Sequence, residues 1–119
     1  MNKFIQIIVF ISFSFSFLLL NIVKADEKIK VGLLVPMTGP NKNLGQSIIK
    51  AVKLAVKDID SDQIEIFPKD TSSQPNKTLK SAFELKEMGV KIIIGPVFHE
   101  SLAYLDEMND LTFLSLTNK

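Results

Sequence analysis

The amino-acid sequence predicts an α/β fold, a parallel sheet with flanking helices in the order βαβαβαβ, preceded by an N-terminal leader helix. Three observations lead to this prediction. From residue 29 onward, short runs of β-forming apolar residues alternate with segments of helical periodicity. Most of these runs end at Pro or Gly, and the segments between them are long enough for crossover connections, which favour parallel strands. A length of 119 residues allows one small domain.

Residues 1–25 have the pattern of a signal peptide. Lys3 gives a positive start, residues 4–20 form an apolar run, and the run closes on Val23-Lys24-Ala25. We therefore predict cleavage after Ala25 and export of residues 26–119. The alternative is an uncleaved anchor, because residues 4–23 are about long enough to span a bilayer, a length of roughly 20 residues. The small residue at Ala25 and the charges that follow it favour export.

The charge and composition exclude several function classes. Removing 25 of the 119 residues would leave 94, with 12 of the 14 Lys against 13 acids and a formal charge of −1. All basic residues are Lys, so the chain lacks the arginine contacts and basic excess of nucleic-acid binding, and no nucleic-acid partner is predicted. The absence of Cys excludes disulfides, thiolate metal sites, cysteine nucleophiles and a lipid anchor on an N-terminal cysteine.

The first strand and helix follow the leader. Residues 29–35 (IKVGLLV) are apolar, rich in β-formers and bounded by Pro36, which predicts a buried strand. Residues 45–60 are predicted to form an amphipathic helix with lysines on the opposite face. Its predicted inward positions are Ile48, Val52, Ala55 and Ile59.

The second strand and helix are predicted over residues 64–67 and 77–88. Pro68 is expected to stop the strand, and Gly89 stands where a helix ends with a left-handed residue. Lys86 interrupts the apolar arc of this helix. We expect its stem to lie along the sheet and its ammonium group to reach water.

The third strand is predicted over residues 90–94 (VKIII), a short helix over 101–109, and a fourth strand over 112–116. Ligands of parallel sheets gather at the carboxyl ends of the strands. The loops that matter for function are therefore residues 36–44, 69–76, 96–100 and 117–119.

The motifs of cofactor and metal sites are incomplete. Gly39 and Gly45 are separated by five residues where a phosphate loop has four, and Gln46 replaces the phosphate-binding lysine. His99-Glu100 begins like a zinc-protease helix, but Ala103 stands in place of the second histidine, and one His cannot build a metal site. We predict neither a cofactor nor a metal.

Hydroxyl groups remain at the predicted strand ends and helix starts, at Thr38, Ser101, Ser115 and Thr117. Unpaired N–H groups and nearby hydroxyls at such places bind carboxylates or other anions without catalysis, which is typical of a receptor. The alternative is that the same residues cap helices and close turns.

Several ordered motifs resemble one family. They are P-M-T-G-P at residues 36–40 with Gly45 six residues after Gly39, then D-T at 70–71, I-G-P at 94–96 and L-S-L-T-N at 114–118. Residues 28–119 thereby resemble the N-terminal lobe of type 1 periplasmic binding proteins, the leucine/isoleucine/valine-binding class. The G-P-V-F-x-x-S and D-T forms also resemble the penicillin-binding protein activators.

The resemblance implies a periplasmic, non-enzymatic receptor with two lobes that close on a small ligand. Residues 26–119 are interpreted as part of its first lobe, either the opening part of a larger protein or a truncated gene product. It implies a small polar ligand such as an amino acid, handed to an ABC transporter permease in the inner membrane. The implied ligand contacts, added to the hydroxyl at Thr38, are Leu44, His99, Glu100, Ser101, Ser115 and Thr117.

Two alternatives remain. Phe98, His99 and Glu100 are bulky where amino-acid binders often carry small hydroxyl residues. This departure favours an activator-like regulator of peptidoglycan synthesis, whose partner would be a penicillin-binding protein. An enzyme would need an acid/base pair, and Asp70 with His99 is the candidate at successive strand ends.

Overall fold

The computed structural model describes residues 2–18 and 27–117. The α/β class predicted from the sequence is confirmed. The elements in chain order are α1 (Lys3–Leu18), β1 (Ile29–Val35), α2 (Lys42–Asp58), β2 (Ile64–Asp70), α3 (Pro75–Glu87), β3 (Ile92–Ile94), a 3₁₀ helix (His99–Tyr104) and β4 (Thr112–Leu114).

Helix α1 covers most of the predicted leader, and its apolar side chains at residues 4–11 are exposed. Within residues 2–18 and 27–117, none of the helices combines the length and the apolar character needed to cross a bilayer. The predicted cleavage position after Ala25 falls in residues 19–26, outside the described residues.

The four strands form one sheet in the order β2-β1-β3-β4, and every neighbouring pair is parallel. The chain moves from β1 to β2 in one direction and from β2 past β1 to β3 in the other. Right-handed crossovers in opposite directions place their helices on opposite faces of a sheet. Accordingly α2 packs on one face of β1 and β2, whereas α3 packs on the other face and is itself contacted by the 3₁₀ helix.

The larger hydrophobic cluster lies on the α3 face, and the fully buried Leu33 and Val35 of β1 lie on the opposite face, under α2. Leu34 and Ile93 project from the sheet against Ala82 and Leu85 of α3, and all four are fully buried. The core is completed by Val90, Leu105, Met108 and Leu111, with Phe67, Leu79, Met88 and Phe113 packed at its border. This face is therefore covered by α3 and by the segment around the 3₁₀ helix.

The opposite face is covered by α2 over β1 and β2 and is less buried over β3 and β4. There the apolar side chains of Ile92 and Leu114 are 36% and 53% exposed. Ile92 and Ile93 are consecutive residues of β3, so their side chains point to opposite faces of the sheet. At β3, therefore, the α3 face is closely packed and the opposite face is only partly covered.

This difference gives a prediction. Ile93→Val is expected to lower the free energy of unfolding by about 1 kcal/mol, because it removes a methylene from a closely packed core. Ile92→Val removes the same group from a half-covered face and is expected to cost less than about 0.5 kcal/mol. Urea denaturation of the two variants measures both values. An equal decrease in the free energy of unfolding for the two variants would mean that Ile92 and Ile93 are equally buried.

The predicted inward face of α2 is partly wrong. Gly45 is buried and Ile48, Val52 and Val56 are half-buried, but Ala55 is exposed and Ile59 lies beyond the last helical residue with its side chain exposed. The backbone of Gly45 packs directly against Pro36. We infer that this contact fixes the rotation of the helix and turns the Val56 side inward.

Several predicted boundaries also differ. β2 continues through Pro68 to Asp70, so the predicted stop is wrong. β2 is an edge strand of the described sheet, where a residue without an N–H donor is tolerated. α3 begins at Pro75, which suits a first turn because its missing N–H has no helical partner there.

The third helical segment is a 3₁₀ helix that begins at His99 rather than an α-helix over residues 101–109, and it continues as turns. β3 and β4 are shorter than predicted. Gly89 has a φ of 84°, which confirms its left-handed position after α3. The ammonium group of Lys86 is partly exposed to water, as expected, and it also forms an ion pair with Asp110, with 2.5 Å between Nζ and a carboxylate oxygen.

Candidate functional site

A cavity opens between β1 and β3, where the order in which the chain adds strands to the sheet reverses. β1 and β3 are neighbours, but the chain leaves β1 toward α2 on one face and leaves β3 toward the 3₁₀ helix on the other. Loops that diverge in this way leave a crevice at the carboxyl edge of the sheet, the usual ligand position in parallel α/β folds. A cavity of about 540 Å³ lies here, a volume suited to a small organic molecule.

The walls of this cavity, which we call the switch-point cavity, come from three parts of the chain. Two lie in the first turns of α2, four run from the loop after β3 into the 3₁₀ helix, and one follows β4. The lining residues are Leu44, Ile48, Val97, Phe98, His99, Glu100 and Leu116. Five of these seven are apolar, so the cavity offers chiefly a hydrophobic surface.

The polar part of the cavity is formed by His99 and Glu100, the first two residues of the 3₁₀ helix. Both side chains are exposed. Neither makes a side-chain hydrogen bond or an ion pair with any residue in the described parts of the chain. Their polar atoms are therefore available to a ligand that enters the cavity.

Ser101 follows directly but faces elsewhere. Ser101 is 2% exposed, and its Oγ lies 3.3 Å from Oγ1 of Thr78 on α3. Thr78 Oγ1 in turn donates a hydrogen bond of 2.8 Å to the carbonyl oxygen of Gln74. The Ser101 hydroxyl thus ties the 3₁₀ helix to α3 and does not line the switch-point cavity.

Ser115 and Thr117 follow β4 and form a local turn. The Ser115 hydroxyl donates to Oγ1 of Thr117 over 3.2 Å, and the backbone N–H of Thr117 donates back to Ser115 Oγ over 3.2 Å. Hydroxyls commonly close turns in this way. The side chain between them, Leu116, is the one that lines the cavity.

Thr38 belongs to a cluster around Asp70, the last residue of β2. Asp70 accepts hydrogen bonds from the backbone N–H groups of Met37 (2.7 Å), Thr38 (3.2 Å) and Ser72 (2.9 Å). It also accepts from the hydroxyls of Thr38 (2.6 Å) and Ser72 (3.0 Å) and from Nζ of Lys77 (2.6 Å). We call this set the Asp70 cluster. It joins the loop after β1 to the loop after β2.

The cluster holds Asp70 in its charged form. Partial burial acts to raise the pKa of this carboxyl group, but the hydrogen bonds from Lys77, Thr38, Ser72 and Met37 outweigh that effect and hold the pKa far below its usual range. A carboxylate with this many donors is a poor proton acceptor. Its evident role in the structure is to fix the two loops.

The residues expected from the sequence fall into two groups. Leu44, His99 and Glu100 are brought together in the cavity lining. The hydroxyl groups of the other four make hydrogen bonds within the chain, and these residues are not among the lining; they are Thr38, Ser101, Ser115 and Thr117.

Four lining residues were not expected from the sequence: Ile48, Val97, Phe98 and Leu116. Each is an apolar residue in or close to a motif loop. Val97, Phe98 and Leu116 follow strand ends, a position that a search limited to polar residues overlooks, whereas Ile48 lies in α2 and was assigned to the inward face of the helix.

Comparison with known families agrees with this geometry. A sequence model of the family described as "Periplasmic binding protein" matches residues 28–114. The chain belongs to this family. The resemblance recognised from the motifs is thereby confirmed, and the matched region covers β1 through β4.

Solved structures of transporter substrate-binding proteins share the fold. A solute binding protein of an ABC transporter from Rhodopseudomonas palustris BisB5, in complex with 3,4-dihydroxy benzoic acid, is 29% identical with a TM-score of 0.70, over 77% of this chain and 27% of that one. The branched-chain amino acid transporter substrate binding protein LivJ from Streptococcus pneumoniae, in complex with isoleucine, is 22% identical with a TM-score of 0.69, over 78% and 30%.

Two further relatives extend the comparison. LpoA from Haemophilus influenzae is 23% identical with a TM-score of 0.63, over 85% of this chain and 18% of that one. An uncharacterized protein of Rickettsia prowazekii (strain Madrid E) is 24% identical over 98 residues, which is 80% of this chain and 26% of that protein. This periplasmic binding protein chain therefore spans about a quarter of the length of that relative.

Proposed function

We propose that the chain is part of an exported solute-binding receptor that binds a small organic ligand in the periplasm and hands it to an ABC transporter permease in the inner membrane. The observation that carries the proposal is the switch-point cavity, an apolar cavity with unpaired polar groups at the carboxyl edge of a periplasmic-binding-protein sheet. Its volume, about 540 Å³, lies within the usual range for small-molecule sites.

The ligands of similar proteins support this assignment. The Rhodopseudomonas palustris protein was solved with an aromatic acid and the Streptococcus pneumoniae protein with isoleucine. Both ligands combine an apolar body with polar groups. The switch-point cavity has the same two kinds of surface, because Leu44, Ile48, Val97, Phe98 and Leu116 are apolar and His99 and Glu100 are polar.

The proposed organisation is a signal peptide over residues 1–25 and part of the first receptor lobe over residues 26–119. A second lobe would close over the cavity as in hinged binding proteins. Binding of this kind uses non-covalent contacts and requires neither a cofactor nor a metal. The seven residues named from the sequence remain candidates, with Leu44, His99 and Glu100 the ones that line the cavity.

Catalysis by Asp70 and His99 is a weaker candidate. The six hydrogen bonds that Asp70 accepts keep it charged and commit its oxygens to the two loops. A general base needs an accessible lone pair and a pKa near the working pH. We therefore propose a non-enzymatic protein.

The regulator of peptidoglycan synthesis remains the alternative function, and its partner would be a penicillin-binding protein. The likeness to LpoA is one of fold, at 23% identity. It does not favour the regulator over the receptor. A receptor binds a small molecule in the switch-point cavity, whereas a regulator of this kind binds a protein.

A pair of leucine substitutions tests the receptor. Leu116→Ala removes an apolar wall of the cavity and is expected to weaken binding about tenfold, a value consistent with the loss of a buried leucine side chain. The measurement is calorimetric titration of the full chain with ligands first selected by thermal shift from amino acids, aromatic acids and apolar amines.

Leu54→Ala is the matched control. Leu54 is 59% exposed on α2 and outside the cavity, whereas Leu116 is 44% exposed, so both substitutions are expected to change folding stability little. Binding that is weakened equally by both, or silence of the unmodified chain across the whole panel, would argue against a receptor.

A further inference from the structure

The charge at the switch-point cavity distinguishes between classes of ligand. Among the described residues that line it, Glu100 is the acidic side chain and His99 the potentially basic one, and none is a lysine. With His counted as neutral, Glu100 gives these lining residues a negative formal charge.

The four hydroxyl groups that the sequence suggested for a ligand carboxylate do not line the cavity. The Ser101 hydroxyl is buried against Thr78. The Ser115 hydroxyl donates to Oγ1 of Thr117, and both residues lie outside the cavity lining. The Thr38 hydroxyl donates to Asp70, itself an acid. A ligand carboxylate in this cavity would meet the carboxylate of Glu100 without hydroxyl donors from these positions.

The opposite charge is better accommodated. Glu100 makes no hydrogen bond or ion pair with any other described part of the chain, so both of its oxygens can accept from a ligand. An ammonium group supplies up to three donors and an opposite charge. The apolar walls formed by Val97, Phe98 and Leu116 would contact the hydrocarbon part of the same molecule.

We propose that the switch-point cavity selects small apolar amines, with the ammonium group at Glu100 and the hydrocarbon body against the apolar walls, and that it rejects the corresponding carboxylic acids. This inference rests on the proposed receptor function. It goes beyond it in naming the class of ligand and Glu100 as the residue that determines specificity.

The experiment compares matched ligands on the full chain by isothermal titration calorimetry. One series is phenethylamine, 2-phenylethanol and phenylacetate, and a second is isoamylamine, isoamyl alcohol and isovalerate. Each series keeps a similar hydrocarbon body and changes the charge. We expect the amine of at least one series to bind about three- to tenfold more tightly than its alcohol, a range that allows for the solvent exposure of Glu100. The acid is expected to bind more weakly than the alcohol.

Glu100→Gln is expected to bring the affinity for that amine down toward the affinity for the alcohol, and to weaken binding of the amine more than binding of the alcohol. Glu107→Gln is the control, because Glu107 is an exposed acid that does not line the cavity. The preference for the amine is also expected to shrink at high salt, since exposed charges are screened.

The outcomes separate the inference from the function on which it rests. Binding of the acid or the alcohol at least as tightly as the amine would overturn the amine preference and leave the receptor intact. An amine preference that survives Glu100→Gln would overturn the role of Glu100. If none of the six compounds binds, the assignment of ligand class is overturned. The receptor proposal is then decided by whether any compound of the wider panel, the amino acids, aromatic acids and apolar amines, binds.

Discussion

Gly45→Ala is expected to lower the free energy of unfolding by about 3 kcal/mol or more, because a side chain at this position has no room. A Cβ atom on Gly45 would lie 1.8 Å from the carbonyl oxygen of Pro36, and both groups belong to the backbone. Backbone cannot rotate away as a flexible side chain does. α2 would have to move off the end of β1, which disturbs the wall that Leu44 and Ile48 give to the cavity.

The expected loss of stability in Gly45→Ala is opposite in sign to the change that helix propensity alone would cause. Replacing Gly by Ala inside an exposed helix normally stabilises it by about 1 kcal/mol. Gln46→Ala, at the next and exposed position of α2, is the control and is expected to change stability by less than about 0.5 kcal/mol. Urea denaturation measures both variants. A Gly45→Ala chain more stable than the parent would mean that α2 does not pack on Pro36 as described.

Asp70→Asn is expected to lower the free energy of unfolding at pH 7 by about 2–3 kcal/mol, since hydrogen bonds to a charged group are the stronger kind and the amide cannot replace all of them. The side chain of Asp70 is 20% exposed and accepts from both neighbouring loops. Its neutral replacement also leaves Lys77 without its carboxylate partner. Chemical denaturation at pH 7 measures the loss.

The loss of stability caused by Asp70→Asn is expected to depend on pH. The folded-state pKa of Asp70 lies below its unfolded value of about 3.9, so its charge stabilises the fold fully above that value and progressively less as the pH falls below it. The difference in stability between the parent and Asp70→Asn is therefore expected to narrow on acidification below pH 4. Glu84 and Asp110 also have lowered pKa values, from hydrogen bonds with Lys69 and Lys86, so part of the acid sensitivity should survive.

Asp106→Asn is the control for this experiment. Asp106 is exposed and makes no side-chain hydrogen bond within the described residues. We expect a change of less than about 0.5 kcal/mol and little effect on the pH profile. A loss as large as that of Asp70→Asn, or a gap that widens in acid, would contradict the role given to the Asp70 cluster.

The two substitutions act on the same part of the molecule. Gly45 sets the distance between α2 and the end of β1, and Asp70 fixes the loop that joins them through Met37 and Thr38. Leu44 lies in the first turn of α2, directly after this loop, and faces the cavity. The shape of the switch-point cavity therefore depends on both contacts, although neither residue lines it.

Local periodicity explains how much of the fold was predictable. The run over residues 29–35 is almost continuously apolar, as expected of a strand buried between two layers, and β1 has exactly those bounds. Gly89 ended its helix as predicted because only the local backbone conformation matters there. Pro68 misled the prediction, because its effect depends on whether the strand is central or at the edge, which is a property of the sheet.

The candidate site was less predictable for a similar reason. Hydroxyls after strand ends looked available in the sequence, but Ser101 is bonded to Thr78, a residue 23 positions earlier, and Thr38 to Asp70, 32 positions later. Such partners become neighbours only when the sheet brings their loops together. The apolar lining, including Val97 and Leu116, was overlooked because an apolar residue after a strand is equally compatible with a core position.

The sequence by itself determined the alternation of strands and helices, the parallel pairing and the family, since these follow from periodicity, connection length and ordered motifs within short stretches of chain. The tertiary structure alone decided the rotation of α2, the commitment of the hydroxyls and the negative, apolar character of the cavity. Those properties depend on distances between residues far apart in the chain, and such distances are set only when the sheet order β2-β1-β3-β4 is formed.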